Sequence, residues 1–202
     1  MSLEGICCIC SRGLVFSKTI EATDVNMMEA PGDWFRVFTH DKPIPDAQNE
    51  IVEKALAYDP EWLWFVEEDI QPPVHALVEM LEWGRHYDVV TTRYRLKGGS
   101  QCGAESMGEV KFTGIGCTLI RQSVFSKMGK PYFFSGNVYD TDLKKVGVDP
   151  ALYGQQDVYF FARLKECDVL FYVISDFSPD HLRVAEYGDI RNNVGYHRVE
   201  AI

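Results

Sequence analysis

The chain has 202 residues, 46% hydrophobic and 25% charged, which suits one soluble domain large enough to bury a core. Its formal net charge of −10 argues against a surface that grips a nucleic-acid polymer or docks on an anionic membrane. No apolar stretch is long enough to cross a bilayer, and the opening Met1-Ser-Leu-Glu-Gly5 lacks the basic start of a signal peptide, so a cytoplasmic protein is expected.

In chain order, Ile6 to Cys10 reads as a first strand and Ser11-Arg-Gly13 as a turn, before a helix-like segment of moderate periodicity to about Met28. Trp34 to Thr39 predicts a second strand. Lys42-Pro-Ile-Pro45 leads into a helix with Ala47, Ile51, Val52, Ala55 and Leu56 at helical spacing. Asp46 and Glu50 lie early in it, where the macrodipole favours acids. Trp62 to Val66 is an unbroken apolar, aromatic and β-branched run, the pattern of a strand buried on both faces. It ends in Glu67-Glu-Asp69, and Pro72-Pro73 keeps the sheet from continuing. A helix after Pro73 carries Val74, Leu77, Val78 and Leu81 on one face, and Tyr87 to Thr92 gives another strand. Arg93 to about Glu109 is glycine-rich and reads as a loop. Val110 to Ile120 reads as a strand pair around Thr113-Gly-Ile-Gly116, and Ser123 to Met128 as a short helix. Pro131 to Pro150 has no period and predicts a long loop, often a lid in compact domains. Gln155 to Lys165 predicts a helix, Val169 to Ile174 a buried strand, and the tail from Ser175 is polar. Strands alternating with helices predict an α/β layered fold.

Six cysteines are present: Cys7, Cys8, Cys10, Cys102, Cys117 and Cys167. Cys7 and Cys10 have CxxC spacing, but no second pair completes a zinc site, and their apolar run predicts buried, reduced thiols. There is no P-loop, no Gly-x-Ser-x-Gly and no His-Glu-x-x-His, and Gly114-Ile-Gly116 fails the dinucleotide fingerprint because Leu119 stands where a glycine belongs. The acidic triplet is the stronger signal. Ligands bind at the carboxyl ends of strands in α/β sheets. Alternation along the strand sends Glu67 and Asp69 to one side and Glu68 to the other. Neighbouring carboxylates repel unless a cation or a donor lies between them, which suits a divalent metal carrying phosphates. An acidic turn capping the next helix is the plainer alternative.

Taken in order, these segments resemble the family 2 glycosyltransferases of the GT-A fold, in particular small bacterial and phage-type members, from about Ile6 to His181. Cys10-Ser-Arg-Gly13 is similar to the polar loop that holds the nucleotide, and Ile44-Pro-Asp-Ala-Gln-Asn49 to the segment before the metal strand, with Gln48 in place of an arginine. Trp64-Phe-Val-Glu-Glu-Asp-Ile70 with Pro72-Pro73 resembles the strand ending in the DxD signature. Phe112 to Arg121 resembles the segment lining the sugar and acceptor site. Gly154-Gln-Gln-Asp157, with Phe160 and Arg163, resembles the helix start that carries the catalytic base. Asp176 to His181 resembles the loop returning a histidine to the metal. Two departures stand out: Glu67 and Gln156 replace the usual Asp and Glu.

The resemblance implies a single GT-A-type α/β domain over residues 1–202, with a mixed, mostly parallel central sheet flanked by helices. A nucleotide-binding half would span about 1–95 and an acceptor half about 96–202. It implies metal-dependent transfer of a sugar from a nucleotide-diphosphate donor to an unspecified acceptor hydroxyl, with inversion. Asp69, His181 and Glu67 would serve the metal, Mn2+ or Mg2+, with Glu67 also placed to hold the ribose or a metal-bound water. Ser11, Arg12, Asn49, Glu67 and Glu68 would meet the nucleotide; Tyr94, Gly114, Ile115, Gly116 and Gln156 the sugar or acceptor. Asp157 would be the general base, against the alternative that it only caps its helix. Tyr132, Phe133, Phe134 and Tyr139 would stack on sugars or pack their loop. A nucleotidyltransferase of related fold and a non-catalytic nucleotide-sugar binding module are the rival readings.

Overall fold

The computed structural model describes residues 3–95, 101–102, 105–107, 110–135, 156–187 and 196–201. The chain opens β1 (Gly5–Cys10), α1 (Ser17–Glu29), β2 (Trp34–Thr39), α2 (Ile44–Leu56), β3 (Trp62–Glu67), β4 (Ile70–Gln71), α3 (Ala76–Gly84) and β5 (Val89–Thr92). Short strands β6 (Tyr94–Arg95), β7 (Gln101–Cys102), β8 (Glu105–Met107) and β9 (Val110–Phe112) follow. Then come β10 (Cys117–Arg121), α4 (Gln122–Met128), α5 (Gln156–Glu166), β11 (Phe171–Ile174), β12 (Asp180–Tyr187) and β13 (Tyr196–Ala201).

Six strands form the central sheet in the order β2-β1-β3-β10-β5-β11, with β10 alone antiparallel to its neighbours. This is the mixed, mostly parallel sheet flanked by helices that the GT-A resemblance implies. Both faces are covered, which is why β1 and β3 read as apolar without alternation. Ile6, Cys8, Cys10, Leu63 and Phe65 pack under α2, α4 and α5. Cys7, Ile9, Trp62, Trp64 and Val66 pack on the other face with Leu77 and Met80 of α3 and Ile20 and Met27 of α1. Cys7 and Cys10 therefore lie in opposite layers and cannot share a metal. Burial pushes both thiols up to about 12.

Several elements differ from expectation. Val74 stands before α3 and is 58% exposed, because Pro72-Pro73 delays the helix and His75, in the left-handed conformation, opens it. Ala76, Leu77 and Met80 form the buried face instead. β11 starts at Phe171 and is only half-buried, as an edge strand is, with Leu170 exposed. The segment from Arg93 carries the short strands β6, β7 and β8. β9 and β10 are separate strands with different partners, β8 for one and β3 with β5 for the other. The polar tail folds into the β12–β13 hairpin, whose β12 also pairs with β4 outside the central sheet. Of the predicted loop from Pro131 to Pro150, residues 136–150 lie outside the described residues. Among the described residues no helix is long and apolar enough to cross a membrane.

Candidate active site

Cys10 pairs with Glu67, so β1 and β3 end at one level and their following turns meet at the carboxyl edge of the sheet. The Glu67 N–H donates to the Gly116 carbonyl at 3.0 Å, tying the strand end to the Thr113–Gly116 loop. Glu68 and Asp69 follow in a turn rather than in the strand, so alternation no longer governs them, and all three acids line one cleft.

Glu68 is anchored at both ends. Its carbonyl accepts the Phe16 N–H and the Thr19 hydroxyl, each at 3.1 Å. Its Oε2 accepts the Arg12 backbone N–H at 2.8 Å, while Oε1 accepts Arg12 Nε and lies 2.9 Å from Nη2. Asp69 faces the hairpin. Its carbonyl accepts the Leu182 N–H at 2.6 Å, and its Oδ2 lies 2.9 Å from His181 Nε2. The β12–β4 pairing brings this about by setting His181 opposite Ile70, the residue after Asp69.

The cleft, about 420 Å³, is lined by Arg12, Glu67, Glu68, Asp69, Gln156 and His181, with Cys10 and Ile44. Asp157 stands in the first turn of α5, where the macrodipole favours an acid. The residue is half-buried, yet its Oδ1 is out of reach of solvent and has no hydrogen-bond partner among the described residues. Burial raises the Asp157 carboxyl to about 7, against the pull of hydrogen bonds from the Gln156 side chain and the Ile115 backbone. Burial, then the charges of Asp157 and Asp69, push Glu67 up to about 8; Arg12 opposes the shift and Glu68 adds to it. Carboxylates that feel each other this way hold a proton near neutral pH, and the basic form of Asp157 emerges above about 7.

The donor set can be tested for a cation. Asp69 Oδ2 and His181 Nε2 are hydrogen-bonded at 2.9 Å; adjacent ligands in an octahedral shell with bonds of about 2.1 Å stand roughly 3 Å apart, so the same two atoms could turn to a cation in place of that bond. One carboxylate oxygen and one imidazole nitrogen suit Mn2+ better than Mg2+. Among the described residues no group of three or more His, Cys, Asp or Glu side chains converges as a metal site, so further ligands would have to come from a substrate or water.

Arg12, Glu67, Glu68, Asp69, Gln156 and His181 thus line one cleft, with Asp157, Ile115 and Gly116 joined to them by hydrogen bonds or charge. Asn49 is placed elsewhere. Its Nδ2 donates to the Pro45 and Phe133 carbonyls at 2.8 and 2.7 Å, and its Oδ1 accepts the Tyr132 and Phe133 N–H groups. Its amide is committed to clamping the chain at 132–133 onto α2. Ser11 is fully buried, its hydroxyl donating to the Leu14 carbonyl and accepting the Gly13 N–H, so it shapes the turn from within. The Gly114 carbonyl accepts the Thr91 hydroxyl at 3.3 Å. Tyr94 contributes backbone to β6, opposite Cys102; its side chain lies outside the described part. Tyr132 and Phe133 belong to the core, Phe133 stacking on Phe160 with ring centres 5.1 Å apart, and Phe134 meets Tyr159. Tyr139 lies outside the described residues. Phe16, Thr19 and Ile44 were not foreseen; an ordinary helix start gives no sign that it anchors an acidic turn.

No family model and no curated protein matches the chain. Among solved structures, A197 from STIV is similar at TM-score 0.63 and 22% identity, over 89% of this chain and 85% of that one. TarS of S. aureus aligns at TM-score 0.49 and 11% identity, over 88% of this chain but 36% of TarS. A 4-diphosphocytidyl-2C-methyl-D-erythritolsynthase from Anaerococcus prevotii DSM 20548 aligns at 0.47 and 10%, over 85% and 89%. The likeness to A197 is one of fold; the two weaker alignments carry no argument about chemistry.

Proposed function

We propose that the chain transfers a sugar from a nucleotide-diphosphate donor to an acceptor hydroxyl, with inversion. The supporting observation is the meeting, in one cleft, of the strand-end carboxylate Asp69 with the hairpin imidazole of His181, beside a Glu67 that also feels the charge of Asp157 behind it. The diphosphate would lie along the Arg12 side, with the sugar toward Gln156 and Asp157. A divalent cation, Mn2+ or Mg2+, held by Asp69 and His181 would supply charge neutralisation at the diphosphate. The Asp157 carboxylate takes the proton as the acceptor oxygen bonds to the anomeric carbon and the bond to the diphosphate breaks. Gln156 and the Ile115 backbone steady that carboxylate meanwhile. Attack from the α5 side, opposite the leaving group, inverts the centre.

The test is a panel of nucleotide sugars assayed for release of nucleoside diphosphate, with wild type beside Asp157→Asn. The variant should lose at least about 100-fold in turnover, the scale of a general base, and keep its nucleotide affinity. Equal turnover in the variant would remove Asp157 from the mechanism. Pyrophosphate release from nucleoside triphosphates in place of sugar transfer would favour a nucleotidyltransferase.

A further inference from the structure

We propose that Glu68 does not meet the nucleotide but is a positioning residue that aims Arg12 at a phosphate of the donor. The inference rests on the donor-binding reading of the cleft. Both Glu68 oxygens are committed: Oε2 to the Arg12 backbone N–H at 2.8 Å, Oε1 to the Nε side of the guanidinium at 2.9 Å. One carboxylate therefore fixes where Arg12 starts and which way its planar head faces. Glu68 is itself immobilised, since its carbonyl holds Phe16 and Thr19 at the start of α1. Its side chain is 11% exposed, against 66% for Arg12, so the pair has a sunken anchor and an open head.

The chemistry follows from which edge is used. Glu68 occupies the Nε side and leaves the Nη1–Nη2 edge, the fork that matches a phosphate bidentately, uncovered on a side chain that is largely exposed. Arg12 is the one permanent cation among the described cleft residues, which otherwise present three carboxylates. It also feels the charges of Asp69 and Glu67. Without Glu68, an arginine on a turn beside those acids would fold onto them and be lost to the ligand, so an acid that adds negative charge here should favour anion binding.

Inorganic pyrophosphate, which carries no base or sugar, is the probe, titrated with Mn2+ into wild type, Arg12→Ala, Glu68→Ala, Glu68→Gln and the double Ala variant. Thermal melting establishes that each variant is folded. Arg12→Ala should weaken binding roughly 10- to 100-fold, the scale of a charged hydrogen-bonded pair. Glu68→Ala should weaken it about 5- to 10-fold on its own, and by less than about twofold once Arg12 is gone. Glu68→Gln, which keeps an acceptor for only one of the two Arg12 contacts and turns an N–H toward the other, should fall between wild type and Glu68→Ala. Additive losses in the Arg12 and Glu68 alanine variants would overturn the positioning role while leaving the donor-binding reading intact. Wild type that binds no pyrophosphate would overturn both.

Discussion

At the scale of single residues, the site is governed by the cost of burying like charges. Asp157, raised to about 7 mainly by burial, is a base only on the alkaline side of that value, so kcat should climb as pH rises through about 7. A pH-rate profile with its acid limb at an ordinary carboxylate value would exclude it as the base. Glu67 is raised to about 8 from 4.5. For a carboxyl raised on folding, the stabilising contribution is complete below about 4.5 and is lost as pH climbs through about 8. Glu67→Gln should therefore flatten the dependence of Tm on pH between 5 and 9, and at pH 9 should melt about 4 °C or more above wild type. A variant losing stability with pH as steeply as wild type would place the titration elsewhere.

At the scale of elements, the clearest surprise is the part played by Asn49. Three hydrogen bonds from Asn49 join α2 to the chain at Tyr132 and Phe133, and they hold Phe133 against Phe65 and Phe160 in the core. Asn49→Ala leaves those part-buried backbone groups without their side-chain partner, at a cost of about 2–4 kcal/mol. That corresponds to a fall of roughly 5–15 °C in Tm, with pyrophosphate affinity unchanged. A variant of normal stability but weak ligand binding would return Asn49 to the site. The strands β1 and β3 were legible because burial on two faces writes a continuous apolar run. The β12–β13 hairpin was not, since Asp180-His-Leu-Arg-Val-Ala-Glu-Tyr187 is mixed in character and gains its meaning from pairing with β4 and β13. The α3 start was misjudged because two prolines and a left-handed His75 shift the helix past Val74.

At the scale of the whole molecule, the acids of the cleft could be read from the end of β3, while Arg12 and His181 could be placed beside them only through the family resemblance. Arg12 meets Glu68 across 56 positions of sequence and His181 meets Asp69 across 112, and no local pattern encodes either pairing. Register supplies them: β1 and β3 end together, and β12 docks on β4. Net charge belongs to this scale too. If a chain of −10 binds a diphosphate as proposed, a cation would offset the repulsion, and Asp69 and His181 are the proposed pair to hold it. The direct test is thermal stability with UDP, GDP, CDP, ADP and dTDP, each with and without Mn2+, in wild type, Asp69→Asn and His181→Ala. At a hundredfold excess over Kd, a bound nucleotide should stabilise wild type by about 2.7 kcal/mol only when Mn2+ is present, and neither variant should respond. A Mn2+-dependent shift preserved in both variants, or none in wild type with any nucleotide, would contradict the account.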